Sequence, residues 1–107
     1  MMNILNCDRE SSEADFQNAI IKLAKQNGWL IYHTHDSRKS QSGFPDLIML
    51  KGNYMIVSEL KSRTGKLSEA QAQWIKAFEG VKITNINIWK PGTDNDEIVE
   101  MLVTKGN

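Results

Sequence analysis

The chain has 107 residues, with 13 Lys and Arg balanced by 13 Asp and Glu. That length predicts one folded domain over residues 1–107 with a core from about 11 to 104, and a 40% hydrophobic share excludes a disordered or fibrous chain. No run approaches the ~20 apolar residues of a membrane helix, "MMNILNCDRESS" has no signal-peptide pattern, and the lone Cys7 closes no internal disulfide, so a cytoplasmic protein away from membranes is expected, with Cys7 an inert thiol.

"SSEADFQNAIIKLAKQNG" predicts a helix, capped by Ser11 or Ser12, with Phe16, Ala19, Ile20, Leu23 and Ala24 at helical spacing and Gly28 as its stop. "WLIYHTH" predicts a strand from its aromatic and β-branched content, and "DSRKSQSGFP" a polar loop. Two apolar runs follow, Leu47 to Leu50 and Tyr54 to Leu60, joined by a tight Lys51-Gly52-Asn53 turn. After the "SRTGK" turn, "LSEAQAQWIKAFEG" predicts a second helix with Leu67, Ala70, Trp74, Ala77 and Phe78 on one stripe. "VKITNINIWKPG" alternates as a half-buried strand, and "TDNDEIVEMLVTK" closes the chain as a helix with a Thr or Asp cap. The expected order is α-β-β-β-α-β-α, a mixed sheet flanked by helices in an α/β fold.

Charge sits oddly in this pattern. Asp46 opens the first of the paired strands, and Glu59 and Lys61 end the second. Alternation puts Glu59 and Lys61 on one side of their strand, about 7 Å apart. An antiparallel hairpin then brings Asp46 to the same end of the sheet. Two carboxylates are hard oxygen ligands suited to Mg²⁺ or Mn²⁺, with the Leu60 backbone carbonyl as a further donor, and a lysine beside them can orient or deprotonate a water. Metal-assisted phosphodiester hydrolysis is the reaction class that such a set favours. Each residue also has an ordinary reading: Asp46 as a turn acid, Glu59 and Lys61 as a charged pair on an edge strand.

The surroundings are basic. From Ser37 to Leu67 there are six basic residues and two acids, which suits a polyanion as readily as it suits plain surface charge. Arg38 and Lys39 precede Asp46, and Arg63 and Lys66 follow Lys61; they are the candidate contacts to a DNA backbone. His33 and His35 share one strand face without a third metal ligand at suitable spacing, so His33 is at most a phosphate contact. Trp29, Trp74 and Trp89 are read as core or rim packing.

"GFPDL" followed by "SELKSRTGKLSEAQAQW" resembles the PD-(D/E)xK nuclease superfamily, and within it the VRR-NUC family. The resemblance rests on Pro45-Asp46, then Glu59-Leu60-Lys61, then Gln71 on the following helix, with Glu13 at the start of the first helix. It runs from about Glu13 to Pro91. It implies a restriction-endonuclease-like core and a nuclease in which Asp46 and Glu59 hold Mg²⁺ or Mn²⁺, Glu13 assists directly or through water, Lys61 activates water and Gln71 supports the site. It also implies a compact homodimer acting on structured or branched DNA such as a four-way junction, from a phage or a bacterium. From the residues alone, Glu13 serves equally as favourable charge at a helix N-terminus, and Gln71 as the partner of Ser68 in a capping box. Three rivals stay open at this stage: a nuclease of flap, nicked or plain duplex DNA, a non-catalytic nucleic-acid-binding accessory module, and a structural α/β protein whose charged cluster is an edge device.

Overall fold

The computed structural model describes residues 4–34, 41–82 and 84–106. His35, Arg38 and Lys39 lie outside them. The elements are α1 (Glu13–Gln26), β1 (Leu30–His33), β2 (Leu47–Lys51), β3 (Tyr54–Leu60), α2 (Glu69–Glu79), β4 (Thr84–Trp89) and α3 (Asn95–Thr104). The order is the α-β-β-β-α-β-α expected for an α/β fold. The sheet is 4-stranded in the order β1-β2-β3-β4. Its first three strands run antiparallel, while β4 lies parallel to β3. A parallel neighbour needs a crossover, and α2 supplies it.

This topology overturns the edge-strand reading of Glu59 and Lys61. β3 sits between β2 and β4, and Ile56 through Leu60 are buried on both faces. A charge there protects no open edge. The third rival, a structural protein with an edge device, loses its basis.

Alternation sorts the two faces. Leu47, Met49, Ile56, Leu60 and Trp89 turn to one side, where they form the core with Phe16, Ile20 and Leu23 of α1 and Ile98 and Leu102 of α3. Trp29 joins this core and donates its indole N–H to the Leu102 carbonyl at 2.8 Å. Cys7 is buried beside it, and burial pushes the thiol's pKa up, which keeps it protonated and inert.

Two local expectations are corrected. In α2 the buried residue is Ile75, absent from the expected stripe, while Ala77 is exposed. Trp74 and Phe78 pack on Phe44 from the loop before β2, with Phe44 5.0 Å from Trp74 and 6.1 Å from Phe78 between ring centroids. An aromatic partner outside the helix rotates the contact stripe. In α3, Asp94 holds the N-cap position but makes no capping bond. Its carboxylate accepts instead from the Lys90 N–H at 2.6 Å, tightening the Pro91-Gly92 turn. In β4, Asn85 and Asn87 face the helical layer and satisfy each other and Tyr54: the Asn87 amide donates to Asn85 at 2.6 Å, and Asn85 donates to the Tyr54 hydroxyl at 3.1 Å.

Candidate active site

The β2–β3 register ends on the pair Leu47–Ser58. One step further along both chains sets Asp46 opposite Glu59. The Asp46 carboxylate also bridges to β3 directly, accepting the Leu60 N–H at 2.9 Å. Asp46 is held on its other side too. Thr34 donates its backbone N–H to the Asp46 carbonyl at 3.1 Å and its hydroxyl to the Pro45 carbonyl at 3.2 Å.

The loop before Asp46 is clamped onto α2. Gly43 adopts φ +83°, and a Cβ there would fall 2.4 Å from the Ala70 carbonyl carbon and 2.6 Å from the Gln71 nitrogen. Only glycine permits both the conformation and the approach. Trp74 completes the clamp by donating its indole N–H to the Ser42 carbonyl at 3.1 Å. Gly43, Phe44 and Trp74 were not singled out from the sequence as positioning residues. The glycine next to an aromatic and a proline was the signal that could have found them.

Glu59 is 1% exposed, and its Oε2 is buried with no hydrogen-bond partner. Burial pushes its pKa up to about 9, reinforced by a hydrogen bond to Asp46, by the Asp46 charge and by Glu13; the Lys61 ammonium opposes them. Without a cation, then, Glu59 carries a proton close to Asp46. Glu13 is the first residue of α1, after the Ser12 cap. Its pKa is raised by partial burial and then by Asp46, against Lys61 and a hydrogen bond from the Ser62 N–H. Glu13, Asp46, Glu59 and Lys61 therefore share one electrostatic neighbourhood. Lys61 is half-buried, with its backbone anchored by an N–H donated to the Trp89 carbonyl at 3.1 Å.

With this geometry in place, comparison with family models matches the VRR-NUC domain over residues 2–86. The chain belongs to the VRR-NUC family. It is accordingly a nuclease domain with a PD-(D/E)xK-type core, and DNA is its substrate. Searches of curated proteins and of solved structures found no match. Among the described residues, no helix is long and apolar enough to cross a membrane.

The VRR-NUC domain offers a cation a restricted donor set. No group of three or more His, Cys, Asp or Glu among the described residues could hold a metal ion. Two carboxylates do meet, and one has an orphaned buried oxygen. That fits Mg²⁺ or Mn²⁺, which take one or two protein carboxylates and fill their remaining positions with backbone oxygen, water and substrate phosphate. An unsatisfied carboxyl oxygen and a proton held against its preferred charge are both relieved by a cation.

The remaining candidates fall around this centre. Gln71 closes a full capping box: its Oε1 accepts the Ser68 N–H at 2.9 Å, and the Ser68 hydroxyl accepts the Gln71 N–H at 3.1 Å. Its amide oxygen is thus engaged at the helix end, beside the Gly43 loop. Arg63 pairs with Glu10 at 3.2 Å, and both are largely exposed. Lys66 is exposed. His33 pairs in register with the buried Leu47 and so faces the helical layer, not the face that carries Glu59.

Proposed function

We propose that this VRR-NUC domain is a metal-dependent endodeoxyribonuclease acting on structured or branched DNA, with four-way junctions as the leading substrate. The observation that carries this reading is the opposition of Asp46 and Glu59 across β2 and β3, with Lys61 in electrostatic range of Glu59 and Glu13. Asp46 and Glu59 hold Mg²⁺ or Mn²⁺, aided by the Leu60 carbonyl and by Glu13 directly or through water. When bound, the cation supplies a Lewis acid that neutralises charge on the scissile phosphate and acidifies water.

The chain's own residues do the rest. Lys61 holds and orients the attacking water with an ammonium placed where negative charge develops. The Leu60 N–H and the Thr34 contacts fix Asp46, so it needs no reorganisation when substrate arrives. Gln71 supports the site through the helix end that meets the Asp46 loop. Arg63 and Lys66, with Arg38 and Lys39, take the DNA backbone. The domain works in the cytoplasm as a homodimer, whose two-fold symmetry suits a junction.

The test is cleavage of four-way junction, flap and linear duplex DNA with Mg²⁺ or Mn²⁺, with Asp46→Asn and Lys61→Ala alongside. Both substitutions are expected to abolish cutting while the circular dichroism spectrum stays native. Equal activity in all three proteins overturns the site. A preference for plain duplex removes the junction assignment, and size-exclusion chromatography with light scattering checks the dimer.

A further inference from the structure

Among the described residues, the sheet face that carries Glu59 is only half covered. α2 contacts β4, while α1 packs on β1 and β3 from the other side. Over β1 and β2 this leaves Leu30, Tyr32 and Leu50 at 72%, 59% and 43% exposure. The register pairs Leu30 with Leu50 and Tyr32 with Ile48 across these strands, and Met55 lies beyond Leu50 on β3. Ile48 and Met55 are half-buried. These five side chains form an uncharged patch ending on an exposed aromatic ring.

The patch runs into the active site. The Thr34 N–H reaches the Asp46 carbonyl, so Thr34 lies opposite Asp46 and Tyr32 is its diagonal neighbour on the same face, ~7–8 Å away and within reach of an aromatic side chain. A strand whose phosphate sits at Asp46 and that runs toward β1 passes its flanking nucleotide over this ring or close beside it. Size argues against a protein occupant, because a standard protein interface uses about 20–30 residues a side and the patch among the described residues has the five side chains named above. A nucleobase with its sugar matches that footprint, and its π-face needs no charged partner.

We propose that Tyr32, widened by Leu30 and Leu50, is a stacking platform for one unpaired base next to the scissile phosphate, and so a specificity-determining residue for splayed DNA. The inference rests on the nuclease reading above and gives it a physical cause. A paired base is already stacked within its duplex, whereas a base at a branch point can turn onto the ring.

The experiment crosses two changes. Substrates with a splayed strand carry either a normal nucleotide or an abasic site next to the cut, and each is cleaved by wild type, Tyr32→Ala and Tyr32→Trp. In wild type, removing the base is expected to lower kcat/KM by ~5- to 100-fold through KM. In Tyr32→Ala the abasic penalty disappears, and in Tyr32→Trp it returns. A second readout needs no cutting: 2-aminopurine at that position, bound to Lys61→Ala protein, is quenched, and the quench is lost in Lys61→Ala/Tyr32→Ala.

An abasic penalty that is equal in wild type and Tyr32→Ala, or a quench that survives the double substitution, overturns the platform while the nuclease assignment stands. If wild type cuts no substrate, that assignment fails, and the quench still decides the platform. A change of oligomeric state in Tyr32→Ala identifies the face as a surface between copies of the chain and also overturns the proposal.

Discussion

At the scale of single residues, the buried carboxyl of Glu59 dominates. Its folded-state pKa of about 9 stands far above the ordinary 4.5. The unfolded chain therefore releases this proton first as pH rises, and folding becomes less favourable between those two values. The sign is that of a raised acid: its contribution is fully present below about pH 4.5 and lost on approaching about pH 9. Each unit of difference is worth up to ~1.4 kcal/mol. The metal-free protein is thus expected to show a falling melting temperature from pH 5 to pH 9 in scanning calorimetry. Glu59→Gln, which keeps the shape and cannot ionise, should flatten the profile and melt several degrees above wild type at pH 8. A steep decline that persists in Glu59→Gln would assign it to another group. The same residue shows what sequence can reach: alternation placed Glu59 and Lys61 on one side of β3, but the near-complete burial of Glu59 depends on neighbours distant in the chain.

At the scale of elements, the GFPD loop and α2 act as one unit. The sequence marked the loop as polar and the helix as amphipathic, and both are present. Their mutual docking through Gly43, Phe44 and Trp74 could not be read from helical periodicity, because the partner that reorients the stripe lies outside the helix. Gly43→Ala meets backbone at 2.4 Å and a strained φ together. It should cost ~2–4 kcal/mol in urea unfolding and lower kcat more than thermal stability alone would predict, since Asp46 moves with the loop. A loss under ~0.5 kcal/mol would show that the loop yields easily and positions nothing.

At the scale of the whole molecule, zero net charge conceals a local cationic edge. Arg63 and Lys66 follow β3, and Glu10 competes for Arg63 at 3.2 Å. Removing either cation should weaken DNA binding for every sequence and lower the slope of log K against log salt by about 1. Glu10→Gln should do the reverse, tightening binding by freeing the guanidinium. Fluorescence anisotropy over a salt series measures both. An unchanged slope in Arg63→Ala and Lys66→Ala would send the DNA path elsewhere on the surface.

The order of elements, the α/β class and the Pro-Asp, Glu-x-Lys pattern that resembles a nuclease family are legible along the chain, because period, turn chemistry and motif spacing are local properties. Tertiary packing settled the rest: β3 is an interior strand, Glu59 is buried beside Asp46, His33 faces the α1 and α3 layer, and Tyr32 is exposed on the face that carries Glu59. Those outcomes depend on which strands pair, in what register and under which helix. Residues far apart in the chain settle such pairings jointly, so no single stretch of sequence carries them.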